Sequence, residues 1–117
     1  MTGPISMDQA LIRKLTDIIL TNIRNEHFGV ADLAREAGMS RITLYRKIKS
    51  IIDKDTGQFI REIRLRRAME LLQQNAGTVS EVAYMVGFGD PYYFNKCFHK
   101  FFGYPPGKNK ERSNSLC

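Results

Sequence analysis

A chain of 117 residues has room for one ordinary domain, or for two very small units that share an element. Its 43% hydrophobic and 26% charged residues are those of a folded water-soluble domain, and 18 Lys and Arg against 12 Asp and Glu leave a net charge of +6. That excess suits a polyanionic partner and suits plain solubility equally well, so the positions of the charges must decide. No apolar stretch approaches the roughly 20 residues that cross a bilayer, and the N-terminus lacks the charged-then-apolar order of a signal peptide. A cytoplasmic domain without membrane contact is expected. Cys97 and Cys117 form no C-x-x-C pair, so neither a zinc site nor a disulfide framework is indicated, and no metal or cofactor is expected.

Residues 1–6 contain Gly3 and Pro4 and no periodic pattern, and read as a remnant or a piece of linker outside the domain, which is taken as 7–112. Leu11, Leu15, Ile18 and Ile19 recur at helical spacing and predict an amphipathic first helix over 7–25. Gly29 marks a break. A short helix over 30–37 follows, ended by Gly38, and Ser40 is suited to cap the next one, because its hydroxyl can take an orphan backbone N–H. On that third helix Leu44, Ile48 and Ile51 share one side with Ser40, while Ile42, Arg46, Lys49 and Ser50 share the other. One side is core and the other is basic. The first helix-turn-helix is thereby placed at about 30–52.

Thr56 is suited to cap a long fourth helix over 57–74 whose apolar residues change sides: Phe59, Ile60 and Ile63 on one face, Leu65, Ala68, Met69 and Leu72 on the other. Such a helix should serve two cores. Thr78 and Glu81 form a capping-box pattern ahead of another short helix, which ends at Val86 before the turn Gly87, Phe88, Gly89. Asp90 and Pro91 then supply an N-cap and the residue best suited to a first helical position. The sixth helix runs to about Phe102, with Phe94, Cys97, Phe98 and Phe101 inward and Tyr92, Asn95, Lys96 and His99 outward, Tyr93 and Lys100 alongside. The second helix-turn-helix is placed at 78–102, and a disordered tail at 113–117.

The two halves repeat. Ala34 and Gly38 return as Ala83 and Gly87, and Leu44 and Ile48 return as Phe94 and Phe98, with one extra residue in the second turn. A helix-turn-helix reads DNA by laying its second helix in the major groove, so the outward side chains there carry the argument. In the first unit they are Arg41, Ile42, Thr43, Tyr45 and Arg46. Arg46 suits guanine O6 and N7, and Ile42 suits a thymine methyl. In the second they are Tyr92, Tyr93, Asn95 and Lys96, of which Asn95 suits adenine N6 and N7. Lys47, Lys49, Lys100 and Arg61 read as phosphate contacts, with Ser40, Tyr93 and His99 assigned to the same role. Taken singly, an exposed Arg or Lys usually just faces water. The doubled pattern shifts the balance to DNA.

At these residues the chain resembles the C-terminal DNA-binding domain of the AraC/XylS-type transcription regulators. The carriers are the run 30–40, Leu44 to Lys47 and above all the runs 82–88 and 94–106. The resemblance implies an all-α fold of about seven helices, in which two helix-turn-helix subdomains are joined by a long linker helix. It places base-reading positions on Ile42, Thr43, Tyr45 and Arg46, and on Pro91, Tyr92, Asn95 and Lys96. The tail departs from the family pattern, since the run 106–112 lacks the aromatic-basic pair that usually follows the two prolines; a short, frayed last helix is the expectation. The wording around Met39 to Lys47 and Asp90 to Phe94 is most similar to output domains of hybrid two-component regulators. That likeness implies a sensor or receiver domain in a longer parent chain. The family resemblance implies double-stranded DNA as partner, RNA polymerase as a further one, and activation of transcription; the tandem units, which can mimic a dimer's two contacts, predict a monomeric domain.

Other function classes fare worse. An enzyme lacks support: there is no Gly-rich phosphate loop, nucleophile elbow or metal-ligand cluster, and His27 and His99 lie in different halves. The competing reading is a helical protein-interaction module, with Tyr45, Tyr92 and Tyr93 as partner contacts. RNA is third, because its deep narrow major groove excludes a recognition helix.

Overall fold

The computed structural model describes residues 6–107, and among these there are six α-helices and no strand. The first, α1 (Met7–Thr21), starts where the spacing predicts it and is capped by the residue before: the Ser6 hydroxyl accepts the Gln9 N–H, and the Gln9 side chain accepts the Ser6 N–H, both at 3.1 Å. Ser6 is thus the helix N-cap. The helix stops before the expected Asn25. The Thr21 hydroxyl and the Asn22 amide each donate to a carbonyl four residues back at 2.8 Å, which closes the last turn.

Short α2 (Val30–Glu36) is opened by the Asp32 carboxylate, which accepts the Gly29 N–H at 3.0 Å and pairs with Arg35 at 2.7 Å. Next, α3 (Arg41–Ile52) has its N-terminal Thr43 N–H taken by the Ser40 hydroxyl, and ends at Asp53 in the left-handed region (φ 56°). For α4 (Thr56–Gln73) the cap is Asp55 and not Thr56, because the Asp55 carboxylate accepts the Gln58 N–H at 2.7 Å. Thr56 is instead the first helical residue, with its hydroxyl buried and without a hydrogen-bond partner. Both caps expected for the second half are present. The Thr78 and Glu81 side chains each accept the other's backbone N–H ahead of α5 (Val79–Met85), and Asp90 accepts the Tyr92 N–H ahead of α6 (Pro91–Phe102), with Pro91 at its start. A seventh helix is not among these six. Pro106 and Gly107 are helical, and the rest of the expected last helix and the tail 113–117 lie outside the described residues.

The chain divides into two compact units. The first takes the chain through Asn22 and Phe28–Arg61, and buries Leu15, Ile19, Leu33, Ala34, Leu44, Ile48, Phe59 and Ile60. The second takes Ile23–His27 and the chain from Glu62 on; its core is Leu65, Ala68, Leu72, Val82, Ala83, Val86, Phe88, Phe94 and Phe98. Phe88, Phe94, Phe98 and Phe102 form a run of neighbouring rings with centroids 4.6–5.7 Å apart. The boundary falls within α4: Phe59 and Ile60 belong to the first unit, and Leu65, Ala68 and Leu72 to the core of the second.

Candidate nucleic-acid interface

Each unit holds a short helix, a glycine turn and a longer helix, and the two turns are built alike. In the first, the Gly38 N–H bonds the Arg35 carbonyl and the Met39 N–H the Ala34 carbonyl; in the second, the Gly87 N–H bonds Tyr84 and the Phe88 N–H bonds Ala83. This pair of bonds closes a helix whose next residue is left-handed, and Gly38 (φ 72°) and Gly87 (φ 85°) occupy that position. The repeat read from side chains is thus a repeat of backbone hydrogen bonds.

With these turns set, α3 buries Leu44 and Ile48 completely and turns Arg41, Ile42, Thr43, Tyr45, Arg46, Lys47 and Lys49 outward. Ile42 is 64% exposed, so its apolar side chain is open to contact on this face. Thr43 accepts a hydrogen bond from the Ser40 hydroxyl at 2.9 Å, so the Ser40 hydroxyl is engaged at both its oxygen and its hydrogen. Lys49 stands in the last turn, paired with Asp53 at 3.0 Å, and that carboxylate raises its pKa. A groove of about 370 Å³ runs beside α3, lined by Val30, Arg41, Ile42, Tyr45, Asp55, Thr56 and Gly57.

On α6, Phe94 and Phe98 are buried, while Tyr92, Tyr93, Lys96, His99 and Lys100 are exposed and Pro91 and Asn95 are half-buried. The Asn95 amide donates to the Pro91 carbonyl at 2.8 Å, and the Lys96 ammonium lies 5.6 Å from the centre of the Tyr92 ring. Tyr93 packs its ring 6.0 Å from that of Phe88. His99 and Lys100 sit in the last turn, where positive charge suits the helix dipole. Arg61 is half-buried on α4. Among the described residues no group of His, Cys, Asp and Glu could hold a metal ion, and no helix is long and apolar enough to cross a membrane.

The reading of the sequence missed what braces the second turn. Arg64 is only 6% exposed, and its guanidinium donates to the carbonyls of Ile23 and Val86, both at 2.6 Å, and of Asn25 at 3.1 Å. Burial lowers its pKa, and the three carbonyls compensate the lost hydration. A Cβ at Gly87 would strike the Arg64 guanidinium and the Ile23 carbonyl, so this glycine is demanded by space as well as by its backbone angle. The Glu26 carboxylate lies against Gly89, where a Cβ would have to push that side chain aside. The signal was present in the sequence: Arg64 stands between Ile63 and Leu65, on the stretch of helix where the apolar face changes sides and little of the circumference is left for solvent.

Two glycine-turned helix pairs, each with a polar and basic outer face on its second helix, define a tandem helix-turn-helix domain. Residues 33–112 match the family described as "Helix-turn-helix domain". The chain is 42% identical over 107 residues to "Histidine kinase P4" of Formosa agariphila, covering 92% of this chain and 8% of that protein. It is 40% identical over 85 residues to "HTH-type transcriptional regulator GlxA" of Rhizobium meliloti, covering 71% of this chain and 26% of that one. Among solved structures, the DNA-binding domain of AdpA, a global transcriptional factor, in complex with a target DNA is similar with a TM-score of 0.80 at 26% identity, over 90% of this chain and 94% of that one. The chain belongs to the helix-turn-helix domain family of AraC type. It spans well under a third of the length of these two relatives.

Proposed function

We propose that this domain binds double-stranded DNA sequence-specifically and regulates transcription, with α3 and α6 entering successive major-groove segments about 34 Å apart. The observation that carries the reading is the outer face of α3, where Arg41, Ile42, Tyr45 and Arg46 stand exposed together on a helix whose other face is fully buried. The DNA complex of the similar AdpA domain supports it. The candidates for base reading are Arg41, Ile42, Thr43, Tyr45 and Arg46 on α3, and Pro91, Tyr92, Asn95 and Lys96 on α6. Backbone contacts fall to Ser40, Lys47, Lys49, Arg61, Tyr93, His99 and Lys100. The domain acts as a monomer, because its tandem units supply the two contacts that a dimer of single units would. Similarity to a histidine kinase supports a parent chain that carries a sensor, and similarity to the transcriptional activator RhaR of Pectobacterium atrosepticum supports activation as the outcome; a non-enzymatic output domain working in the cytoplasm completes the proposal.

The test is selection of bound duplexes from a random DNA pool. A two-part site spaced by about one helical turn supports the proposal; no enriched sequence at moderate salt overturns it. The second reading, a protein-interaction surface, draws on the exposure of Tyr45, Tyr92 and Tyr93, at 44%, 71% and 49%. Failure of the selection together with salt-insensitive capture of a protein partner through these tyrosines would favour it.

A further inference from the structure

The two recognition helices differ in the chemistry they offer. On α3, the guanidinium groups of Arg41 and Arg46 are exposed, and neither has a hydrogen bond or ion pair among the described residues. A guanidinium is a planar fork that matches guanine O6 and N7 with two parallel hydrogen bonds, the commonest base-specific contact in the major groove. Ile42 beside them adds an apolar group suited to a thymine methyl. On α6 there is no arginine at all. Its cations are Lys96 and Lys100, compact point charges that suit phosphate oxygens better than the paired acceptors of one base. Two of its outward candidates are also engaged within the helix: Asn95 with the Pro91 carbonyl at 2.8 Å, and Lys96 over the Tyr92 ring. To extend its amide to a base edge, Asn95 must give up that bond.

We infer that discrimination between DNA sequences is carried mainly by the first unit, through Arg41, Ile42 and Arg46, and that the second unit supplies mainly sequence-tolerant hold on the phosphate backbone. This inference rests on the DNA-binding reading proposed above. The specificity-determining residues are then on α3, and the half-site facing α6 is loosely constrained.

The experiment uses the 117-residue chain and duplexes selected from a random pool, then measures affinity for the selected duplex and for single-base variants across both half-sites. In the wild type, substitutions in the half-site assigned to α3 should each lower affinity by about 5- to 150-fold, and those in the other half by much less. Arg46→Lys keeps the charge and loses the fork, so it should flatten the preference at one position while leaving the salt dependence unchanged. Lys100→Ala should weaken binding to all duplexes alike and make the slope of log affinity against log salt shallower by about 0.9. Equal constraint in both half-sites, or loss of a base preference in Asn95→Ala, overturns the inference and leaves specific DNA binding standing. Failure of the wild type to select any sequence overturns the DNA reading itself, and this inference with it. All these side chains are exposed or half-buried, and a circular dichroism melt unchanged from wild type shows that each variant is folded.

Discussion

Gly38 and Gly87 hold equivalent places in the repeat and differ in what surrounds them. A side chain at Gly38 would meet open space, so Gly38→Ala should cost only the strain of an L-residue in the left-handed region, about 1–2 kcal/mol. At Gly87 the same methyl group would displace Arg64 and strand the carbonyls of Ile23 and Val86. Gly87→Ala should therefore cost at least about twice as much as Gly38→Ala in urea denaturation. Equal losses would mean that the guanidinium can leave freely. Asp32 supports a different prediction. The Gly29 N–H, and after it the Arg35 side chain, hold its pKa below the usual 3.8. A carboxylate depressed in this way stabilises the fold while it is ionised, so the contribution is complete above pH 3.8 and is lost as pH falls through the lower folded value. Asp32→Asn should leave a shallower dependence of stability on pH over that acid range, measured by denaturant melts between neutral and acid pH.

At the scale of elements, the helices with one apolar face were legible and those serving two cores were harder to bound. The pairs Leu44 and Ile48 on α3, and Phe94 and Phe98 on α6, recur every four residues and are fully buried, so the outward candidates were found by subtraction. The first helix was read too long because Ile23 continues the spacing of Ile19. Ile23 instead packs against the core of the second unit, after Thr21 and Asn22 have closed the helix with their own side chains. The start of α4 was misread by one residue for a related reason. Asp55 and Thr56 are both good caps, and the choice depends on which side chain is buried. Thr56 is the buried one, and its unpartnered hydroxyl gives a test. Thr56→Val keeps the shape and removes the desolvated oxygen, so thermal stability should be unchanged or rise by about 1 kcal/mol. A clear loss would show that the hydroxyl has a stabilising role. The burial of Arg64 was signalled by the change of apolar face around it, but its partners were not legible, because the three acceptors are backbone carbonyls supplied by residues distant in sequence.

For the whole molecule, the +6 charge becomes informative only through its placement. Arg41, Arg46 and Lys47 on α3, and Lys96 and Lys100 on α6, put cations on the outer faces of both second helices, the faces proposed to meet the duplex. Net charge alone would give any polyanion the same weak attraction, whereas a recognition surface must also prefer one sequence over another. The most direct test of the account is an equilibrium titration of the full chain with a pool-selected duplex and with a shuffled duplex of the same composition, over a range of salt concentrations. The account predicts that log affinity falls linearly with log salt for both, by about 0.9 for each phosphate contacted, and that the selected duplex stays the tighter ligand throughout. Equal affinity for the two duplexes, or affinity that does not respond to salt, would contradict it.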